Sequence, residues 1–246
     1  MPLVKRGDDL PALIVRAAEQ AGGLRDGDIL VIASKVLAVV QGRLRKLARI
    51  HPSPRARKLA ADARLEPEFV ELVLREADEV LGASSGVILT LKGGILCANA
   101  GVDRSNVPLG HAALMPLKPN RAAREVCASI VKQAGAKVGV IISDSNVKPL
   151  RLGTVGQAIG IAGFEPVIDC RGQRDLYGRP LHITFRAIAD QLATAAQAVM
   201  GEASERLPVV IVRDMNVKLT EEPKRSPKIA PKRCIYFSAL KHPKKR

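Results

Sequence analysis

Residues 141–178 read IISDSNVKPLRLGTVGQAIGIAGFEPVIDCRGQRDLYG. An apolar run ends in Ser143, Asp144 and Ser145, and a basic pair, Lys148 and Arg151, follows closely. A glycine-punctuated apolar segment comes next, then Asp169, Arg171, Arg174 and Asp175. A strand leading into carboxylate, hydroxyls and cations suits a metal ion and a phosphate, because hard cations take oxygen ligands and phosphates take Lys and Arg. The same residue types also make a helix cap or an Asx turn. Gly153–Gly163 is apolar enough for a buried strand pair or a helix, and its periodicity leaves both open. Its glycines match neither GxGxxG after a strand nor a Walker A loop, so they read as places where backbones pack closely.

On the N-terminal side, Lys137–Ser143 reads as a strand and Asn120–Gln133 as a helix. Asp8–Gly22 has helical apolar spacing and a Gly-Gly stop, and DILVIA at Asp28–Ala33 is a buried strand. That strand ends at Ser34-Lys35, and Val36–Val40 continues the apolar run to Gly42. Pro54–Ala63 and Pro67–Leu81 read as helices, and Gly86–Leu91 with Gly94–Ala98 as a hairpin. The segment Asn99–Pro108 is a polar loop. On the C-terminal side, His182–Ala187 alternates as a strand, Ala187–Met200 is helical and Pro208–Val212 is a buried strand. Strands mixed with helices, without strict alternation, predict an α+β fold with mixed and antiparallel sheets and flanking helices. A domain of 1–217 precedes a basic Pro/Lys-rich segment, 218–246, with one apolar island at Cys234–Leu240.

The 246 residues are 47% hydrophobic but only 2% aromatic, so Val, Ile, Leu and Ala must build the core. A net charge of +15 points to anionic partners. No apolar run approaches the roughly 20 residues of a membrane span, and no secretory h-region is present. Cys97, Cys127, Cys170 and Cys234 are widely spaced and read as reduced thiols of a cytoplasmic protein. The histidines lack ligand spacing and read as surface or structural residues. Nucleic acid is an unfavoured partner despite the charge, since aromatics for base stacking are nearly absent.

A second polar loop, GVDRSN, carries Asp103, Arg104, Ser105 and Asn106. Two such loops beside strands make a shared metal site more plausible than either alone. Lys35, at the end of the first strand, can hold a phosphate as a point charge or serve as a solvated cap.

The segments GDILVIASKV, ANAGVDRSNVP, ISDSNVKPLRLGTVGQAIGIAGFEPVIDCRGQRDLYGRPL and ADQLATAAQAVMGEASERLPVVIVR occur in order and end near Arg213. Together they resemble the coenzyme F-420-0:L-glutamate ligases, the γ-glutamyl ligases of deazaflavin cofactor synthesis. The resemblance implies a distinctive α+β fold and an intertwined, butterfly-shaped homodimer. It implies GTP-dependent amide bond formation. The γ-phosphoryl group passes to the acceptor carboxylate, and the amine of L-glutamate displaces phosphate from the acyl phosphate. It also implies Mg²⁺ or Mn²⁺, with K⁺ as an optional further ion. Under this resemblance Asp103, Asp144, Ser145 and Glu202 are the metal ligands. Ser34, Lys35, Asn106, Met200 and Gly201 fall in nucleotide-contacting segments, as does Met1–Val4. Lys148 and Arg151 would take the anionic acceptor or the triphosphate. No catalytic residue is assigned.

The chain also departs from the family pattern. Ala38, Val39 and Gln41 stand where the family has a Ser, a nucleotide-contacting Lys and an acidic residue. Val147, Lys148 and Leu150 stand where it has Gly, Arg and Trp, with Arg151 retained. Two rival expectations follow: the same fold glutamylating a different cofactor, or a non-catalytic homologue that binds nucleotide or polyanions. The retained acidic residues favour an enzyme.

Overall fold

A computed structural model describes residues 1–240; 241–246, with His242 and the last basic residues of the tail, lie outside them. In chain order the elements are α1 (Leu10–Gln20), β1 (Ile29–Ala33), α2 (Ser34–Val40), β2 (Leu44–Lys46), α3 (Pro54–Ala63) and α4 (Pro67–Glu76). Three strands follow, β3 (Glu79–Ser84), β4 (Val87–Lys92) and β5 (Ile95–Ala98), then β6 (His111–Ala113) and α5 (Pro119–Ala134). The second half holds β7 (Gly139–Val147), β8 (Thr154–Ala162), β9 (Ile168–Asp169), β10 (Phe185–Arg186), α6 (Ile188–Met200), β11 (Val209–Val212) and α7 (Ile235–Leu240). The fold is mixed α+β with several small sheets, as expected from the unalternating pattern. Among the described residues no helix is long and apolar enough to cross a membrane.

The main sheet has the order β11-β1-β7-β8, with β1 and β7 parallel and the outer pairs antiparallel. Its two central strands are buried on both faces, which is why they read as continuous apolar runs. Leu30, Ile32, Val140, Ile142 and Ile159 pack on one face with residues of α1 and α5. Ile29, Val31, Ile141 and Ala158 pack on the other with Ile188, Leu192, Ala193 and Ala196 of α6. A separate core joins α3 and α4 to Ile88, Ala112 and Leu114. The remaining sheets are β3-β4-β5, the ribbon β2-β6 and the short pair β9-β10.

Gly153–Gly163 forms neither a strand pair nor a helix: it is the single strand β8. The register shifts after Ile142↔Gly160 to Ser143↔Ala158, so Ile159 is a bulge residue. The bulge turns Gly156 and Gly160 to opposite faces. A Cβ on Gly156 would lie 2.2 Å from the Ala193 carbonyl of α6, and one on Gly160 2.4 Å from the Pro119 carbonyl of α5. These glycines let two helices press on one strand.

Other boundaries differ from the sequence expectation. The helix expected over Pro67–Leu81 stops at Glu76, because Glu79–Ser84 pairs antiparallel with β4 and cross-strand packing overrides helix propensity. The apolar run Val36–Val40, given no element by the sequence, is part of helix α2, which starts at Ser34. The strand expected to end at Ser143 runs to Val147, because β8 remains paired to it throughout. His182–Ala187 contains only two strand residues, Phe185 and Arg186. The short strands β2 and β6 lack enough length to show a period. The apolar island Cys234–Leu240 becomes α7. Upstream of it the chain is tied down: Glu165 accepts from the Lys224 and Arg225 amides at 2.9 and 3.1 Å, and Arg225 pairs with Asp169 at 2.8 Å.

Candidate active site

Strand β7 extends beyond the end of β1, whose last residue Ala33 pairs with Ser143. That register sets Ser34 beside Asp144. Ser34 is only 7% exposed, and its hydroxyl donates to Asp144 Oδ1 at 2.6 Å. Lys35, the next residue, turns to the loop after β5, where its Nζ donates to Asp103 Oδ2 and, at 2.7 Å, to the Ser105 hydroxyl.

Asp103 is positioned by backbone: its N–H and carbonyl exchange hydrogen bonds with Ala113 at 3.0 and 2.8 Å. Its carboxylate also accepts from the Ser105 amide at 2.9 Å and the Ser105 hydroxyl at 2.6 Å, an Asx turn closed on itself. Arg104 points elsewhere, pairing with Glu66 at 2.8 Å and lying over the Phe69 ring at 4.6 Å.

Burial works to raise the Asp103 carboxyl, yet the Lys35 ammonium and the Ser105 donors outweigh it and hold it below its ordinary value. Burial pushes the Asp144 carboxyl up; the Ser34 hydrogen bond opposes this, and the negative charge of Asp103 adds to it. A like charge nearby and loss of water both disfavour ionisation, and a bound cation would reverse both.

Ser145 faces the other way, because adjacent strand residues point to opposite faces. Its hydroxyl donates to Glu202 Oε1 at 2.7 Å and accepts from Gln197 Nε2 at 3.0 Å. Thr154 also donates to Glu202 Oε1, at 3.0 Å, and Gln197 contacts the same oxygen. Met200 ends α6, and Gly201 follows at φ 70 with no room for a Cβ beside Glu205; this turn brings Glu202 back toward β7. The two groups of side chains meet through Asn106, whose amide reaches the Glu202 carbonyl at 3.5 Å.

The sequence-derived set thus falls into two clusters on either face of β7. One holds Ser34, Lys35, Asp103 and Asp144; the other holds Ser145 and Glu202, with Asn106 between. Among the described residues no three His, Cys, Asp or Glu side chains converge on one point. The donors in both clusters are nonetheless all oxygen, the ligand chemistry of Mg²⁺ or Mn²⁺.

Lys148 lies on the first cluster's side of the sheet, donating to Gln157 Oε1 at 3.1 Å. Arg151 stands in the exposed loop after β7. At the departures noted above, Ala38 is buried, and Gln41 holds the Leu117 backbone at 2.7 and 3.2 Å. Thr154, Gln197 and Gln157 escaped the sequence reading. Gln197 is a polar residue in an Ala-rich helix, a faint signal; Thr154 and Gln157 lie in an apolar strand, and only their pairing to β7 brings them to the site.

The fold and site define a mixed α+β protein whose acidic and hydroxyl side chains gather where one parallel strand outruns its neighbour. The chain belongs to the F420-0:Gamma-glutamyl ligase family, whose model matches residues 1–214. A coenzyme F420:L-glutamate ligase of Methanopyrus kandleri is 44% identical over 238 residues, 95% of this chain and 93% of the relative. Proteins of the same description from Methanothermobacter thermautotrophicus and Archaeoglobus fulgidus are each 42% identical, covering 87% and 88% of this chain and 85% and 86% of their own lengths.

Proposed function

We propose that this protein joins L-glutamate by an amide bond to the carboxylate of coenzyme F-420-0 or a related acceptor, with GTP as the phosphoryl donor. Family membership supports the reaction class. The observation that carries the site is that consecutive residues just past the end of β1, Ser34 and Lys35, bond Asp144 and Asp103 respectively, gathering two carboxylates whose charges a divalent cation would offset.

In this reading Asp103 and Asp144 hold one Mg²⁺ or Mn²⁺, and Ser145 and Glu202 face a second position across β7. Such ions, when bound, would supply charge that offsets the phosphate oxygens. Ser34 keeps Asp144 in register. Lys35, beside Asp103, supplies the charge that Val39 cannot. Asn106, Met200 and Gly201 bound the nucleotide, and Lys148 and Arg151 take the reacting end of the acceptor, its carboxylate, or the triphosphate. An acceptor carboxylate oxygen attacks the γ-phosphorus and GDP leaves. The glutamate amine then attacks the acyl carbon, phosphate leaves, and the nitrogen gives up a proton to form the amide.

Residues 1–217 carry this activity, and 218–246 is an accessory basic segment. A homodimer suits the exposed apolar side chains of Leu150, Leu152, Leu176, Tyr177 and Ile183. Four free thiols suit the cytoplasm. Incubating the protein with GTP, Mn²⁺, L-glutamate and F-420-0 should release GDP and a product heavier by one glutamyl residue. Absence of both sinks the proposal. Because Val147, Lys148 and Leu150 replace the family residues, a panel of carboxylate acceptors read by mass spectrometry separates F-420-0 from another cofactor.

A further inference from the structure

A surface cleft of about 580 Å³ lies beside the β2-β6 ribbon, apart from both clusters on β7. Arg45, Lys46, Arg49 and His111 line it. Leu44 and Ile50 give it apolar walls, and no carboxylate contributes. The ribbon register creates this concentration of charge. Lys46 pairs with His111 across the strands, and the single turn Leu47–Arg49 brings Arg49 back to the same edge.

Among the described residues, none gives the Lys46 or Arg49 side chain a hydrogen bond or ion pair. Arg45 uses only Nη1, toward the Gly42 and Leu44 carbonyls at 3.0 and 2.9 Å, so Nε and Nη2 remain open. Three like charges around one concavity repel one another unless an anion enters. Guanidinium groups match phosphate oxygens in forked geometry, and the cleft is large enough for a whole small molecule. The apolar walls favour an anion carrying an organic body over a bare ion.

The cleft also connects to the carboxylate cluster. His111 and Ala113 both lie on β6, and Ala113 pairs with Asp103. Two residues of strand span about 7 Å. We propose that this cleft binds an organic phosphate. Resting on the ligase reading above, it holds the anionic organic body of the acceptor, with the reacting carboxylate directed along β6 toward Asp103.

Flavin mononucleotide, a phosphate monoester on a planar ring, is the probe, and riboflavin is its phosphate-free control. Both are titrated by fluorescence in EDTA, so that no divalent ion bridges phosphate to Asp103 or Asp144. Flavin mononucleotide should bind the full chain, and riboflavin at least tenfold more weakly. The double variant Lys46→Ala/Arg49→Ala, at two exposed positions, should keep its circular dichroism and lose at least tenfold in affinity. Asp144→Asn should bind the probe like the wild type. No binding in EDTA, equal binding of riboflavin, or equal binding by the double variant overturns the cleft. If the binding pattern holds and no ligation occurs, the ligase reading fails and the cleft stands. If ligation proceeds and the double variant keeps its acceptor KM, the assignment of the cleft to the acceptor is overturned.

Discussion

Asp144 and Ser145 are consecutive in β7 and belong to different clusters: Asp144 accepts from Ser34 of α2 at 2.6 Å, while Ser145 donates to Glu202 beyond the end of α6 at 2.7 Å. The pleat of one strand thereby serves two faces of the sheet. In the proposed reaction both faces of β7 would offer oxygen ligands, Asp144 on one and Ser145 with Glu202 on the other.

In the proposed reading Ser34 acts on the cation through its hydrogen bond to Asp144. Ser34→Ala should lower Mn²⁺ affinity by about 10–100-fold, the usual effect of losing a partner that orients a metal ligand. Electron paramagnetic resonance of free Mn²⁺ gives the affinity, and a urea melt should show a stability change of only about 1 kcal/mol. Asp144→Asn should weaken binding further. Unchanged Mn²⁺ affinity in both variants would remove Asp144 from the metal site.

The division into clusters has a kinetic signature. Ser145→Ala and Glu202→Gln share a hydrogen bond, so their effects on kcat/KM should be coupled by about 0.5–3 kcal/mol in a double-mutant cycle. Ser145→Ala combined with Ser34→Ala should be close to additive, since those side chains share no partner. Strong coupling in the second pair and none in the first would contradict the division.

The glycines of β8 should be intolerant of even one methyl group. Gly156→Ala and Gly160→Ala each drive a Cβ into a helix carbonyl. Each should cost about 1–3 kcal/mol or more, because backbone cannot repack as side chains do. Gly82→Ala in β3, where a Cβ meets nothing within 4 Å, is the control and should be near neutral. Chemical denaturation of the three variants checks this.

Asp28 couples stability to pH. Its side chain is 1% exposed and pairs with Arg213 through two contacts of 2.8 Å. The Arg213 hydrogen bonds hold its carboxyl below the ordinary value, against the effect of burial. A depressed folded-state value means the pair stabilises fully above the unfolded carboxylate range, about pH 4, and that this contribution is lost as pH falls through the folded value. Asp28→Asn should therefore lower the urea midpoint at pH 7, where the wild-type carboxylate is ionised and paired. The gap from wild type should narrow steadily below about pH 4 in urea titrations. A gap that stays constant with pH would show that the ion pair is not its source.

Much of the architecture was legible because its signals are local. DILVIA and the run before Ser143 show strands by continuous apolar content. Pro54–Ala63 reads as a helix, and α3 begins and ends where the sequence places it. The ribbon β2-β6 was not legible, since strands of three residues carry no period and exist only by pairing with each other. Leu81 looked helical because its neighbours propagate a helical pattern, and only β4 alongside could pull Glu79–Ser84 into a strand.

The candidate residues were named from their side-chain chemistry and from ordered motifs: Asp103, Asp144, Ser145, Glu202 and Ser34 were all visible in the chain. Their arrangement was not. Ser34 and Asp144 are 110 residues apart and meet only because β1 and β7 pair in parallel register. Thr154 and Gln157 acquire their roles from the pairing of β8 to β7, and Lys46 meets His111 only across a ribbon too short to foresee. By itself, the sequence determined the fold class, the central strands and the chemical inventory, because burial and side-chain identity are properties of single residues and their near neighbours. Tertiary structure alone decided which side of β7 each group faces and which distant partners share it, because strand register and the bulge at Ile159 are set by long-range pairing that no local pattern encodes.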